Sequence, residues 1–81
     1  MEKELEFVKN SQYRIKVIKT LEGNVKMPNE IATDAGIEKK IISNIIKQLR
    51  EQDILVCINP EVRKGRLYRL TDLGNEIAKK L

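Results

Sequence analysis

Arg63, Lys64 and Arg66 crowd around Gly65 in the stretch INPEVRKGRLYRLTDLG, between an apolar run and a Tyr/Leu run. The pattern reads as a hairpin whose tip carries fixed positive charge, suited to a nucleic-acid backbone or to a narrow minor groove, where the potential is deeply negative. A second set, Lys39, Lys40, Ser43, Asn44 and Lys47, collects on one side of a helical repeat upstream. The Asn44 amide can give and accept hydrogen bonds at once, matching adenine N6 and N7, whereas Lys40 is a point charge suited to guanine O6/N7 or to a phosphate. Ser11, Tyr13, Arg14 and Asn29 lie near two expected helix starts, where hydroxyl, guanidinium and amide groups could hold a phosphate. Equally, Ser11 can act only as a cap while Tyr13 and Arg14 pack against the domain.

Other chemistries lack their residues. The chain has no histidine, so Ser–His and Cys–His nucleophile pairs and a Cys/His zinc site are all excluded. The carboxylates do not fall at calcium-loop spacing, and there is no glycine-rich phosphate loop. Neither an enzyme nor a cofactor is expected. The single cysteine, Cys57, excludes an internal disulfide and sits inside the run Ile54–Ile58, where a thiol acts as a small buried hydrophobe in a reducing cytosol. Redox sensing is the alternative for it. With 16 Lys and Arg against 12 Asp and Glu, the net charge of +4 points to a polyanion such as nucleic acid, or to an anionic membrane. The first residues are acidic where a signal peptide would be basic, and the longest apolar run is too short to span a bilayer, so a soluble, cytoplasmic protein without a membrane partner is expected. A charged helical face is usually just solvated. The two cation sets therefore carry weight only if the elements bring them to one side.

Those elements can be laid out along one domain, residues 1–81. Leu5, Phe7 and Val8 give an apolar edge to a short helix over 2–10, which Asn10 can end in a left-handed conformation. Ser11 can cap a helix over 11–22, in which Ile15, Val17, Ile18 and Leu21 recur until Gly23 stops it. After a brief extended link, Pro28 suits the first position of a helix over 28–35 that buries Ile31, Ala32 and Ala35 and meets Gly36. The longest helix spans 38–52, with Ile42, Ile45, Ile46 and Leu49 facing a core. Lys40, Ser43, Asn44 and Lys47 lie opposite, Lys39 stands at the start, and Ile41 falls at the boundary. A hairpin over 54–70 follows, built from the runs 54–58 and 67–70, with Pro60 and Gly65 between them and Tyr68 and Leu70 on one face. Thr71 can cap a last helix over 72–81, with Asp72 in its first turn and Lys79 and Lys80 in its last.

This order predicts a mainly α fold with a small β-hairpin. A short helix joined through Gly36 to a longer one is a helix-turn-helix, and the hairpin directly after it makes the arrangement a winged one. The N-terminal half of the longer helix would then enter a major groove, and Arg63, Lys64 and Arg66 would lie on the backbone or in the adjacent minor groove.

MPNEIATDAGIEKKIISNIIKQLREQDIL resembles the Pro-x-x-(Ile/Leu)-Ala-x-x-x-Gly-Ile pattern, followed by a Ser and a Leu on the next helix, of winged-helix transcriptional regulators of the MarR/ArsR type. RLYRLTDLGNEIAKKL looks like the strand-to-helix ending of the same superfamily, and FVKNSQYRIKVIKTLEG is similar to the opening of small archaeal winged-helix regulators. The resemblance covers nearly the whole chain. Two positions depart from it. Glu38 stands where the family often has a capping Ser or Thr, a poorer cap whose charge suits the helix dipole but opposes a nearby phosphate. Asp53 replaces the usual Gly before the first wing strand, and tolerates a left-handed conformation less well than Gly but better than most residues. Metal sensing of the kind some ArsR relatives perform lacks its ligands here.

The resulting expectation is a sequence-specific, double-stranded DNA-binding transcriptional regulator. A chain of 81 residues buries only about 60–65% of its unfolded surface. A homodimer through Leu5, Val8, Ile77 and Leu81 would extend that small core. The alternative is a winged helix used for protein–protein interaction or as a scaffold, because fold does not fix function.

Overall fold

Helices form where aliphatic residues recur every three or four positions, and strands where they alternate. The computed structural model describes residues 1–81. Its elements are α1 (Glu2–Lys9), α2 (Gln12–Thr20), α3 (Pro28–Ala35), α4 (Lys39–Glu51), β1 (Leu55–Cys57), β2 (Tyr68–Leu70) and α5 (Asp72–Lys79). The two strands pair antiparallel, with Leu55 opposite Leu70 and Cys57 opposite Tyr68. On the far side of β2, Lys26 and Tyr68 exchange backbone hydrogen bonds of 3.1 and 2.9 Å, so β2 is flanked on both edges. The fold is a winged helix-turn-helix, mainly α with one small hairpin.

Two backbone turns of the same design bracket α4. After α3, Gly36 takes the left-handed conformation at φ +68°, its N–H donates to the Thr33 carbonyl, and the Ile37 N–H reaches back to the Ala32 carbonyl at 2.9 Å. After α4, Asp53 does the same at φ +62°, with its own N–H on the Arg50 carbonyl and the Ile54 N–H on the Leu49 carbonyl, both 2.9 Å. This pairing satisfies the last helical carbonyls and swings the chain across the helix end. Ile37 and Ile54, the residues just past each turn, are both buried, so each turn is locked by an apolar contact as well as by hydrogen bonds.

One cluster of 18 buried hydrophobic residues takes members from every helix and strand, among them Val8, Ile18, Ile31, Leu49, Tyr68 and Ile77. Val8 and Ile77 are 0% exposed inside it, so neither has surface left for a second copy. Of the face expected to dimerise, only Leu5 and Leu81 stay partly open. Gly74 explains how tightly α5 closes on the hairpin. A Cβ there would run into the Ile54 carbonyl oxygen and come within 3.1 Å of the Leu70 side chain.

Several boundaries differ from the expectation, each for a local reason. Asn10 is right-handed (φ −76°), not left-handed, because the Ser11 N–H bonds to the Val8 carbonyl and the chain passes directly into α2. Ser11 does cap α2, its Oγ accepting from the Arg14 N–H at 3.3 Å, and Thr71 caps α5 by accepting from the Gly74 N–H at 3.0 Å. α2 stops at Thr20 so that Leu21 can fold into the core, and Gly23 then turns the chain at φ +68°. The strands are shorter than the runs 54–58 and 67–70. Ile58 N–H still donates to the Leu67 carbonyl, but the return bond is lost because Leu67 N–H goes to the Asn59 side chain.

Two substitutions test this packing. Gly74→Ala gains about 1 kcal/mol of helix propensity but overpacks the α5–hairpin contact by about 1–3 kcal/mol, so urea denaturation is expected to show a net loss of stability. Asp53→Gly relieves a left-handed side chain and removes a negative charge from a helix C-terminus, and is expected to raise stability by about 0.5–1 kcal/mol in the same assay.

Candidate nucleic-acid interface

α4 is amphipathic with little ambiguity: Ile42, Ile45, Ile46 and Leu49 are buried, while Lys39, Lys40, Ser43, Asn44 and Lys47 are all exposed. Ile41 is half-buried and packs against the core edge. The aliphatic stripe thus fixes which side of the helix faces water. At its start, Glu38 is the N-cap but makes no side-chain capping bond. Its carboxylate lies 3.6 Å from Lys40 Nζ, with the two side chains 67% and 80% exposed. A pair so fully hydrated holds almost nothing in place, and Lys40 keeps its reach.

The hairpin tip is built differently from side chain to side chain. Gly65 turns it at φ +74°, and Arg63 and Lys64 are exposed. Arg66 is half-buried instead, its Nε donating to the Val62 carbonyl at 2.8 Å and its Nη2 to the Pro60 carbonyl at 3.5 Å. Against this tip stands the start of α3. Met27, Pro28 and Asn29 on one side and Arg63, Lys64, Gly65 and Arg66 on the other line a cleft of about 400 Å³, with Tyr68 between them and no carboxylate in the lining. Glu30, the nearest acid in sequence, is turned to its own helix start, where it accepts the Met27 N–H at 2.8 Å. Three cations thus share a concave surface whose field favours an anion, while the Glu30 carboxylate already occupies the α3 start beside it.

Of the outlying candidates, the structure brings only Asn29 to this cleft. Ser11 is occupied as the α2 cap. Arg14 is an internal brace: its Nη1 donates to the Phe7 carbonyl at 2.7 Å, its Nε to Gln48 Oε1 at 3.1 Å, and its guanidinium lies 3.7 Å from the Phe7 ring centroid. One side chain thereby ties α1 and α2 to α4. Tyr13 is 42% exposed and belongs to neither group. Cys57 is buried, with Sγ 3.6 Å from Asn59 Oδ1.

Sequence reasoning missed Asn59, which bonds across the hairpin loop, and Arg50, whose guanidinium lies 5.8 Å from the Tyr68 ring centroid. An Asn immediately before Pro60 at a strand end is a turn signal that could have drawn attention to the first. Nothing in the sequence marks the second, since it depends on where β2 lies. No helix is long and apolar enough to cross a membrane.

No protein-family model matches the chain, and no curated protein does. Solved structures do resemble it. A MarR family transcriptional regulator, SPO1453 from Silicibacter pomeroyi DSS-3, superposes with a TM-score of 0.76 at 20% identity over 86% of this chain and 50% of its own. NadR in complex with 4-hydroxyphenylacetate gives 0.76 at 18% identity over 96% of this chain and 60% of its own. A mutant of ZitR from Lactococcus lactis gives 0.75 at 18% identity over 86% and 49%. The chain therefore shares the winged-helix fold of these proteins while spanning about half to three fifths of their length.

The uncapped start of α4 supplies a test. Glu38→Ser offers a hydroxyl to a free N–H of the first turn and is expected to raise stability by about 0.5–1 kcal/mol in urea denaturation. If stability falls instead, the Glu38 charge at the helix N-terminus is worth more than a cap there.

Proposed function

We propose that the protein is a double-stranded DNA-binding transcriptional regulator that reads base edges with the exposed face of α4 and grips the backbone or the minor groove with its wing. The observation that carries this reading is the exposed Lys39–Lys47 face of α4 together with a cleft beside Asn29 in which Arg63 and Lys64 are exposed, Arg66 is half-buried and no carboxylate lines the wall. Likeness in fold to a MarR family transcriptional regulator supports the same class.

The roles follow from chemistry. Asn44 reads adenine by offering a donor and an acceptor together, with Ser43 able to bond either partner. Lys39, Lys40 and Lys47 neutralise phosphates or meet guanine, and Arg63 and Lys64 follow the backbone beyond the groove. The Asn29 side chain, exposed beside the wing, can hold a further phosphate. Such a protein acts in the cytoplasm, and it needs neither a cofactor nor a catalytic step. Two copies on half-sites about 34 Å apart are the natural arrangement. With Val8 and Ile77 buried, the pairing surface would rest on Leu5, Leu81 and the exposed Met1.

Duplex titration at several salt concentrations tests the reading. Log K is expected to fall against log salt with a slope near −0.9 per phosphate contact, and Lys64→Ala to weaken all sequences alike and reduce that slope by about one contact. On a selected site, Asn44→Ala is expected to relax discrimination at one base pair by about 1–3 kcal/mol. Absent or salt-independent binding would instead favour a scaffold role, and an equal loss on every sequence would remove Asn44 as a reader.

A further inference from the structure

The loop that carries the wing cations joins strands of only three residues each. A hairpin of that size has little stability of its own, and its loop would ordinarily be mobile. Here side chains fasten it. Asn59 Oδ1 accepts from the Leu67 N–H at 2.7 Å, and Asn59 Nδ2 donates to the Gly65 carbonyl at 3.1 Å, so one amide spans the loop twice. The Val62 N–H donates to the Asn59 carbonyl at 3.2 Å. Arg66 crosses the same space, its guanidinium on the Val62 and Pro60 carbonyls at 2.8 and 3.5 Å.

The polar residues of the loop therefore do not all face outward, and Glu61 joins the wing cations at the surface. Asn59 and Arg66 direct their donors at the loop's own backbone, while Arg63 and Lys64 are exposed at the tip. We propose that Asn59, braced by Arg66, is the positioning residue of the wing, holding the tip in one shape so that Arg63 and Lys64 meet a duplex without the loop first having to be ordered. This rests on the DNA-binding reading above. A loop that orders only on binding gives up affinity to do so. Only an amide suits the position. An aspartate would lack the donor for the Gly65 carbonyl, and an alanine would lack both groups.

The experiment combines amide hydrogen exchange with duplex titration on the full chain. In Asn59→Ala, the Leu67 amide is expected to exchange at least about tenfold faster, while the Leu49 and Ile54 amides in the core keep their rates and so confirm that the variant is folded. Affinity for duplex DNA is expected to fall about three- to tenfold with an unchanged salt slope, because no cation has been removed. Arg66→Lys keeps the charge but loses the fork, and is expected to lose affinity in the same way. Unchanged Leu67 protection in Asn59→Ala would overturn the proposal. So would lost protection with affinity retained, or a loss of affinity accompanied by a shallower slope. Full affinity in Arg66→Lys would remove Arg66 as a brace. Failure of the unsubstituted protein to bind duplex would defeat the DNA-binding reading and with it the wing's part in binding. The exchange rates would still decide whether Asn59 orders the loop.

Discussion

The burial of one face of α4 is the constraint from which the rest follows. Ile42, Ile45, Ile46 and Leu49 are each nearly or wholly buried, and side chains of that size contribute about 1.5–3 kcal/mol apiece. Each outweighs the solvated Glu38–Lys40 pair, which belongs to a class worth about 0–1 kcal/mol. The helix consequently has no freedom to roll. Lys39, Lys40, Ser43, Asn44 and Lys47 face water because the aliphatic stripe cannot, and the charges themselves have little say in the matter. The left-handed turns at Gly36 and Asp53 then fix where the helix begins and ends, so direction and rotation are both set by apolar packing and backbone geometry.

The wing depends on that frame at one remove. Tyr68 and Leu70 anchor β2 in the core, Lys26 covers its outer edge, and the Thr71 hydroxyl donates to the Asp53 carbonyl at 2.7 Å, linking the end of the hairpin to the turn that follows α4. Gly74 lets α5 press directly on this junction. The base of the wing is thus continuous with the core, whereas its tip is held by the Asn59 and Arg66 side chains and one backbone bond from Val62 to Asn59. The two halves of the candidate interface differ accordingly: one is rigid by hydrophobic burial, the other by a few hydrogen bonds near solvent.

Most of the architecture was legible because it follows from periodicity and from a few residues with special backbones. The stripe on α4, Pro28 at the head of α3, Gly36 at its end, and the Ser11 and Thr71 caps each announce themselves in sequence. What escaped was decided by partners far along the chain. Arg14 could have met a phosphate or the domain, and the Phe7 carbonyl, the Phe7 ring and Gln48 together hold it inside. Val8 and Ile77 were equally plausible as a pairing surface, since an apolar residue near a chain end looks the same whether it meets its own core or another copy. Arg66 was indistinguishable from Arg63 by composition, and differs only because Val62 and Pro60 present carbonyls to it. Asn59 shortened both strands by taking the Leu67 N–H, an effect no strand propensity encodes.

The central claim is that the open face of α4 and the wing tip engage one duplex together. Amide chemical-shift perturbation on adding a short DNA duplex at low salt tests it most directly, because every residue reports separately. The account predicts that Lys39 to Lys47 and Arg63 to Gly65 shift in a single saturable step at the same duplex concentration. Shifts confined to the wing, or centred on α1 and α5 with the Lys40 and Asn44 signals unmoved, would contradict it.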